Sequence, residues 1–250
     1  VLAATGVAKV DRRLQNLRLI RAQPSYNFLM ALRASGCNDK TFEQVLRLTE
    51  TFMLRRHTTR ERTNENEAVF AQLCSADPSN PMPEVRALYR KYCPSDERFR
   101  QEFVTATFPS SLLDRARYCL EQCELASQGT HPELLPGGPD IVHIDHIIPQ
   151  KIKTKKAKKQ LGDWVTYLGK DALDQHPRYV SRIGNLTLFA GELNIGASNN
   201  PYHRKKAAYA QSAFALTKTL PVKYPEFRFA QVESRSQALA DLAMTIWPAI

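Results

Sequence analysis

Apolar side chains in the first ~130 residues recur about every three to four positions, the spacing of one buried helical face. From Asp11 onward, Leu14, Leu17, Leu19 and Ile20 keep that spacing; the pattern pauses at Pro24 and resumes as far as Gly36. The next run, "DKTFEQVLRLTETFMLRRHTT", sets Phe42, Val45, Leu46, Leu48 and Phe52 along one side, with Asp39 placed as an N-cap. "TNENEAVFAQLCS", "PEVRALYRKYC", "SDERFRQEFVTATF" and "SSLLDRARYCLEQCELAS" continue the theme between polar or proline-bearing joints. These patterns predict a helical bundle over residues 1–130.

The pattern breaks at "SQGTHPELLPGGPD", which packs three glycines and three prolines into fourteen residues. A second domain is expected over residues 138–250. It opens with a β-branched run at Ile141–Ile148, passes through a lysine-rich connection, and reaches a second strand-like run, "GNLTLFAG". A Gly/Asn-rich loop, "ELNIGASNNP", then leads into a helix from near Tyr202, and the tail reads as one more helix packing back. The predicted fold class is mainly α with a small β hairpin: an N-terminal helical bundle, a strand–strand–helix core and C-terminal helices.

Charge sharpens this division. Residues 141–210 hold 12 Lys and Arg against 5 Asp and Glu, so +7 of the net +10 falls in the segment with the strands. A localised basic excess suits a polyanion, although a solvated lysine loop produces the same count. Five cysteines, none in a C-x-x-C pair, point to a reducing cytoplasm with buried thiols. No apolar run approaches the roughly 20 residues that cross a bilayer, so no membrane association is expected. The chain starts at Val1 without methionine and carries no G-x-x-x-x-G-K-[ST] phosphate loop, as expected of an effector region cut from something longer.

The candidate chemistry lies in "VHIDHIIPQKI", where His143, Asp145 and His146 interrupt an apolar run. Hydrolysing a phosphodiester needs a base to deprotonate water and a hard cation to neutralise charge on the phosphate and the leaving oxygen. Histidine suits the first task, and carboxylate or amide oxygens suit Mg²⁺. "DHIIP" (Asp145 to Pro149), "GNLTL" and an asparagine nine residues after Asn185 together resemble the HNH nuclease motif of the ββα-metal fold. The closer likeness is to the HNH domain that closes GmrSD-type and SspE-like phage-defence endonucleases, over roughly Arg21 to Thr217.

That resemblance implies an endonuclease that nicks or cuts double-stranded DNA as the effector of a phage-defence restriction system and depends on Mg²⁺, with Mn²⁺ or Ni²⁺ able to substitute. It implies His146 as general base, Asn185 as the brace of the catalytic loop, and Asp145 and Asn194 as metal ligands. It also implies an N-terminal sensor domain as a partner in the full-length chain. Neighbouring residues in a regular strand face opposite ways, so the resemblance further implies that Asp145 and His146 sit where the backbone leaves its pleat, near Pro149. Lys151, Lys153, Lys155 and Lys156 of the connection, and His203 and Lys205 at the start of the following helix, are the candidate DNA contacts. His143 is read as a supporting residue, and Arg55 and Arg56 as partners of nearby acids.

Two other readings are open. The same fold could serve as a catalytically silent DNA-binding module. Alternatively, Cys119, Cys123, His143 and His146 could hold zinc, but their C-x₃-C-x₁₉-H-x₂-H spacing departs from that of a zinc finger.

Overall fold

The computed structural model of the protein describes residues 5–128, 141–153, 164–197 and 200–250. The fold is mainly helical with an antiparallel two-stranded hairpin, and it divides into two compact units: Val1–Phe103 with Trp247–Ile250, and Val104–Ile246. Among the described residues no helix is long and apolar enough to cross a membrane.

The first unit contains α1 (Ala8–Leu19), α2 (Tyr26–Ala34), α3 (Asp39–Thr58), α4 (Thr63–Leu73), α5 (Met82–Tyr92) and the start of α6 (Asp96–Thr105). Its centre is aromatic: Phe52 stacks on Tyr89 with ring centroids 4.2 Å apart, and Phe70 meets both edge-on. The cap of α3 is Asn38, whose side-chain oxygen accepts from Thr41 N at 2.9 Å. Asp39, expected in that role, is the first helical residue and pairs with Arg33 instead. Arg55 and Arg56 both turn inward. Arg55 bonds the carbonyls of Pro94 and Trp247 and pairs with Asp96, while Arg56 pairs with Glu65 and bonds the Tyr92 carbonyl.

The second unit contains α7 (Leu113–Ser127), β1 (Val142–His146), α8 (Trp164–Leu168), α9 (Ala172–Tyr179) and β2 (Leu186–Ala190). Next come α10 (Gly191–Ala197), α11 (Tyr202–Ala210), α12 (Ala215–Lys218), α13 (Leu220–Lys223) and α14 (Phe229–Ile246). The helix α7, read from sequence as part of the bundle, packs in this unit against β2, α12 and α14. Glu124 of α7 explains the link: its carboxylate accepts from the free backbone N–H groups of Ala215 and Leu216 at the start of α12, at 2.7 and 2.9 Å. The Gly/Pro break lies mostly outside the described residues. The lysine-rich connection ends in two helices, α8 and α9, and the stretch read as a Gly/Asn-rich loop begins as the helix α10.

Register places Asp145 opposite Thr187 and His146 opposite Leu186. Directly opposed residues share a sheet face, so Asp145, Thr187, His143 and Phe189 look one way and His146, Ile144 and Leu188 the other. On the first face Phe189 meets Tyr209 of α11, centroids 5.2 Å apart. The core beneath the hairpin joins Ile147, Ile148, Trp164, Phe189, Tyr202, Tyr209, Phe227 and Val232. The β1 chain therefore leaves its strand and at once buries Ile147 and Ile148, which anchors the end of the strand.

Candidate active site

Asp145 and His146 are both still paired in β1, so the chain leaves its pleat one residue later than the resemblance implies. Ile147 to Gln150 bend away, and the peptide groups from His146 onward need partners elsewhere. Side chains and one backbone carbonyl from three separate elements supply them. The His146 carbonyl accepts from Lys205 Nζ at 2.8 Å, and Ile147 N–H donates to the Asn185 carbonyl at 2.9 Å. Asn185 then bonds both sides of Ile148: its Oδ1 accepts from Ile148 N at 2.8 Å, and its Nδ2 donates to the Ile148 carbonyl at 2.9 Å. The same amide also donates to the Val180 carbonyl at 2.9 Å. Finally, His176 Nε2 donates to the Pro149 carbonyl at 2.8 Å. Asn185 is fully buried, so its carboxamide acts as a clamp without competition from water.

Asp145 is 6% exposed and held from two sides. Lys205 Nζ lies 3.0 Å from each carboxylate oxygen, and the Tyr209 hydroxyl donates to Oδ2 at 2.5 Å. Lys205 and Tyr209 are one turn apart on α11, so a single helical face brings both to the carboxylate. Burial pushes the Lys205 ammonium down and the Tyr209 hydroxyl up, while the Asp145 charge raises both. With Asp145 Oδ1, Oδ2 and the His146 carbonyl as partners, the three N–H donors of the ammonium are all used. Lys205 is only 1% exposed. It is thus a buried counter-ion, where the sequence reading expected a surface contact to phosphate.

His146 is half-buried and ends β1 on the face opposite Asp145. Burial pushes its imidazole down to about 4, opposed by the Asp145 charge and reinforced by Lys205 and His176. The ring is therefore neutral at pH 7. Its Nε2 lies 3.3 Å from the amide nitrogen of Gln150, an exposed side chain. That nitrogen can only donate, so Nε2 is the acceptor nitrogen and faces the exposed side of the bend. A neutral imidazole has one lone pair, so His146 can take a proton from water once the Gln150 amide swings away from Nε2.

Asn194 sits on α10, a helix packed on both strands, and is half-buried; its side chain makes no hydrogen bond to another described residue. His143 is half-buried beside Gly191, where an added Cβ would meet its ring at 3.2 Å, so it packs against the start of α10. Lys151 and Lys153 are exposed on either side of Ile152, which is 4% exposed and pins the segment to the core. His203 is exposed in the first turn of α11. Lys155 and Lys156 lie outside the described residues. Sequence reasoning missed His176 and Tyr209. Tyr209 had a signal, its four-residue spacing from Lys205, whereas nothing local marks His176.

The donor set can be tested against a hard cation. A carboxylate offers about four acceptor sites, and three of those on Asp145 are taken, leaving one on Oδ1. Asp145 thus has one acceptor site to offer, and so sparse a supply of protein oxygen suits Mg²⁺, which keeps most of its water. Among the described residues no group of three His, Cys, Asp or Glu gathers into a metal cage. Cys119 and Cys123 are buried and free, their thiols pushed up by burial, Cys123 to about 12, which suits packing rather than zinc.

A comparison with known families matches residues 93–242 to the model described as GmrSD restriction endonucleases, C-terminal domain. A comparison with curated proteins finds no match. The matched span takes in α7, both strands, the clamped bend and most of α14, so the site just described lies wholly within it. The chain therefore belongs to the family of C-terminal domains of GmrSD restriction endonucleases, a family of restriction-type nucleases.

Proposed function

We propose that the Val104–Ile246 unit is an HNH (ββα-metal) endonuclease core that cuts or nicks double-stranded DNA as the effector of a phage-defence restriction system. The observation that carries this reading is the clamped bend: four of its carbonyl and N–H groups are held by side chains of Asn185, His176 and Lys205, and together they fix the peptide beside His146. Such rigidity is costly to assemble and useful where one imidazole must meet one phosphate in a set geometry.

In this reading His146 removes a proton from the water that attacks the scissile phosphorus. Asn185 holds the bend so that the ring keeps its direction. Asp145, through its remaining site on Oδ1, and Asn194 would hold the divalent cation. When bound, that cation supplies charge neutralisation at the phosphate and the leaving 3′ oxygen. The Lys205 ammonium already balances the Asp145 carboxylate, so the phosphate's own charge is needed for tight metal binding. Lys151, Lys153 and His203, all exposed, would contact the DNA backbone, and a sensor region elsewhere in the longer protein would decide when cutting occurs.

The pairing of Asp145 with Lys205 favours one other reading, a silent DNA-binding module of the same fold. One assay separates the two. Supercoiled plasmid incubated with the protein and Mg²⁺ should become nicked or linear, and EDTA should abolish the conversion. Plasmid that stays supercoiled with Mg²⁺, Mn²⁺ and Ni²⁺, yet is bound in a salt-sensitive way, would overturn the nuclease reading.

A further inference from the structure

Arg235, in the middle of the C-terminal helix α14, is 4% exposed and has no carboxylate partner among the described residues. Burial pushes its guanidinium down to about 10, so it is still charged at pH 7. Removing a charge from water is costly unless dipoles replace the lost hydration. Here the dipoles come from one turn. Arg235 Nη1 donates to the carbonyls of Ile183 (3.4 Å), Gly184 (2.9 Å) and Leu186 (2.6 Å), and Nη2 lies 3.4 Å from Thr187 Oγ1.

These residues flank Asn185. Of four consecutive carbonyls, those of Ile183, Gly184 and Leu186 turn to the guanidinium, and that of Asn185 turns the other way to Ile147 N–H. The approach is close. Gly184 N–H donates to Ser236 Oγ at 3.1 Å, and a Cβ on Gly184 would fall 2.1 Å from the Val232 carbonyl oxygen. Any side chain there would push the turn off the helix, and Asn185 with it.

We infer that Arg235, supported by Ser236, is a positioning residue for the active site: it locks the turn that aims Asn185, and through Asn185 the bend that carries His146. The inference deepens the proposed nuclease reading and rests on it for its catalytic meaning. Its physical content, an ordered path from α14 to the bend, can be read without any cleavage.

The test pairs hydrogen exchange with kinetics in Arg235→Lys, which keeps the charge and loses the planar fork. Amide exchange across the Val142–Ile152 segment should accelerate about tenfold relative to other segments of the folded protein. Plasmid turnover per folded molecule should fall by about 10- to 100-fold, with DNA affinity unchanged. Combined with Asn185→Ala, the substitution should add little further loss, because both act through one path. Should Arg235→Lys fail to fold, Ser236→Ala should show the same pattern at smaller amplitude. Unchanged exchange in the bend of a folded variant, or losses that multiply independently with Asn185→Ala, would overturn the inference. Faster exchange in the bend of a protein that never cleaves DNA would uphold the path and count against the nuclease reading instead.

Discussion

Both units of this protein bury cations, but they use them differently. In the first unit Arg55 and Arg56 tie together chain corners: the carbonyls of Tyr92, Pro94 and Trp247, with Asp96 and Glu65 as acids at least one-third exposed. In the second unit Lys205 and Arg235, together with Asn185, His176 and Tyr209, bear on β1's last residues and the bend after them, directly or through one turn. Buried charge alone therefore marks nothing. What marks a site is polar groups from several elements ending on one short segment that also carries a neutral, half-exposed imidazole.

The comparison can be broken by exchanging buried cations for a neutral side chain of similar length. Lys205→Met leaves the Asp145 carboxylate buried without its counter-charge, and loss of one partner of a buried pair costs about 3–5 kcal/mol. In Arg55→Met the acid Asp96 is 55% exposed and returns to water, so the loss comes from stranded carbonyls, about 1–3 kcal/mol each. Two carbonyls are stranded, so urea denaturation should show losses of similar size in the two variants, and catalysis should separate them. Cleavage per folded molecule should fall at least about tenfold for Lys205→Met and stay unchanged for Arg55→Met. Equal catalytic losses would erase the distinction between the two units.

A smaller effect sharpens the comparison. Lys151 and Lys153 are exposed beside the site, and each phosphate contact contributes about 0.9 to the slope of log affinity against log salt. Lys151→Gln with Lys153→Gln should lower that slope by about 2 and weaken binding similarly on all DNA sequences. Turnover at saturating DNA should hardly change. An unchanged slope would assign both lysines to a solvated segment.

Much of this arrangement is legible from residue order. The β-branched run at Ile141–Ile148 and the "GNLTLFAG" run place the two strands, and the residues after Pro201 place the helix α11. Arg55 and Arg56 fall, as read, on intramolecular partners. Two features escaped for different reasons. Lys205 sits in a run of basic residues, "HRKK", and composition alone cannot say which of them faces inward; helical geometry decides it by setting Lys205 and Tyr209 on one side. His176 and Arg235 act on partners 27 and about 50 residues away, and no local pattern encodes such pairings. The helix α10 was hidden because glycine and asparagine favour loops, a preference that packing against both strands overrides.

The central claim is that the clamped bend exists to present His146 as a base. Turnover of supercoiled plasmid by His146→Ala, at saturating DNA and beside the unaltered protein, tests it most directly. Turnover should fall about 10²- to 10⁴-fold with folding and DNA affinity retained. Cleavage at the rate of the unaltered protein would contradict it.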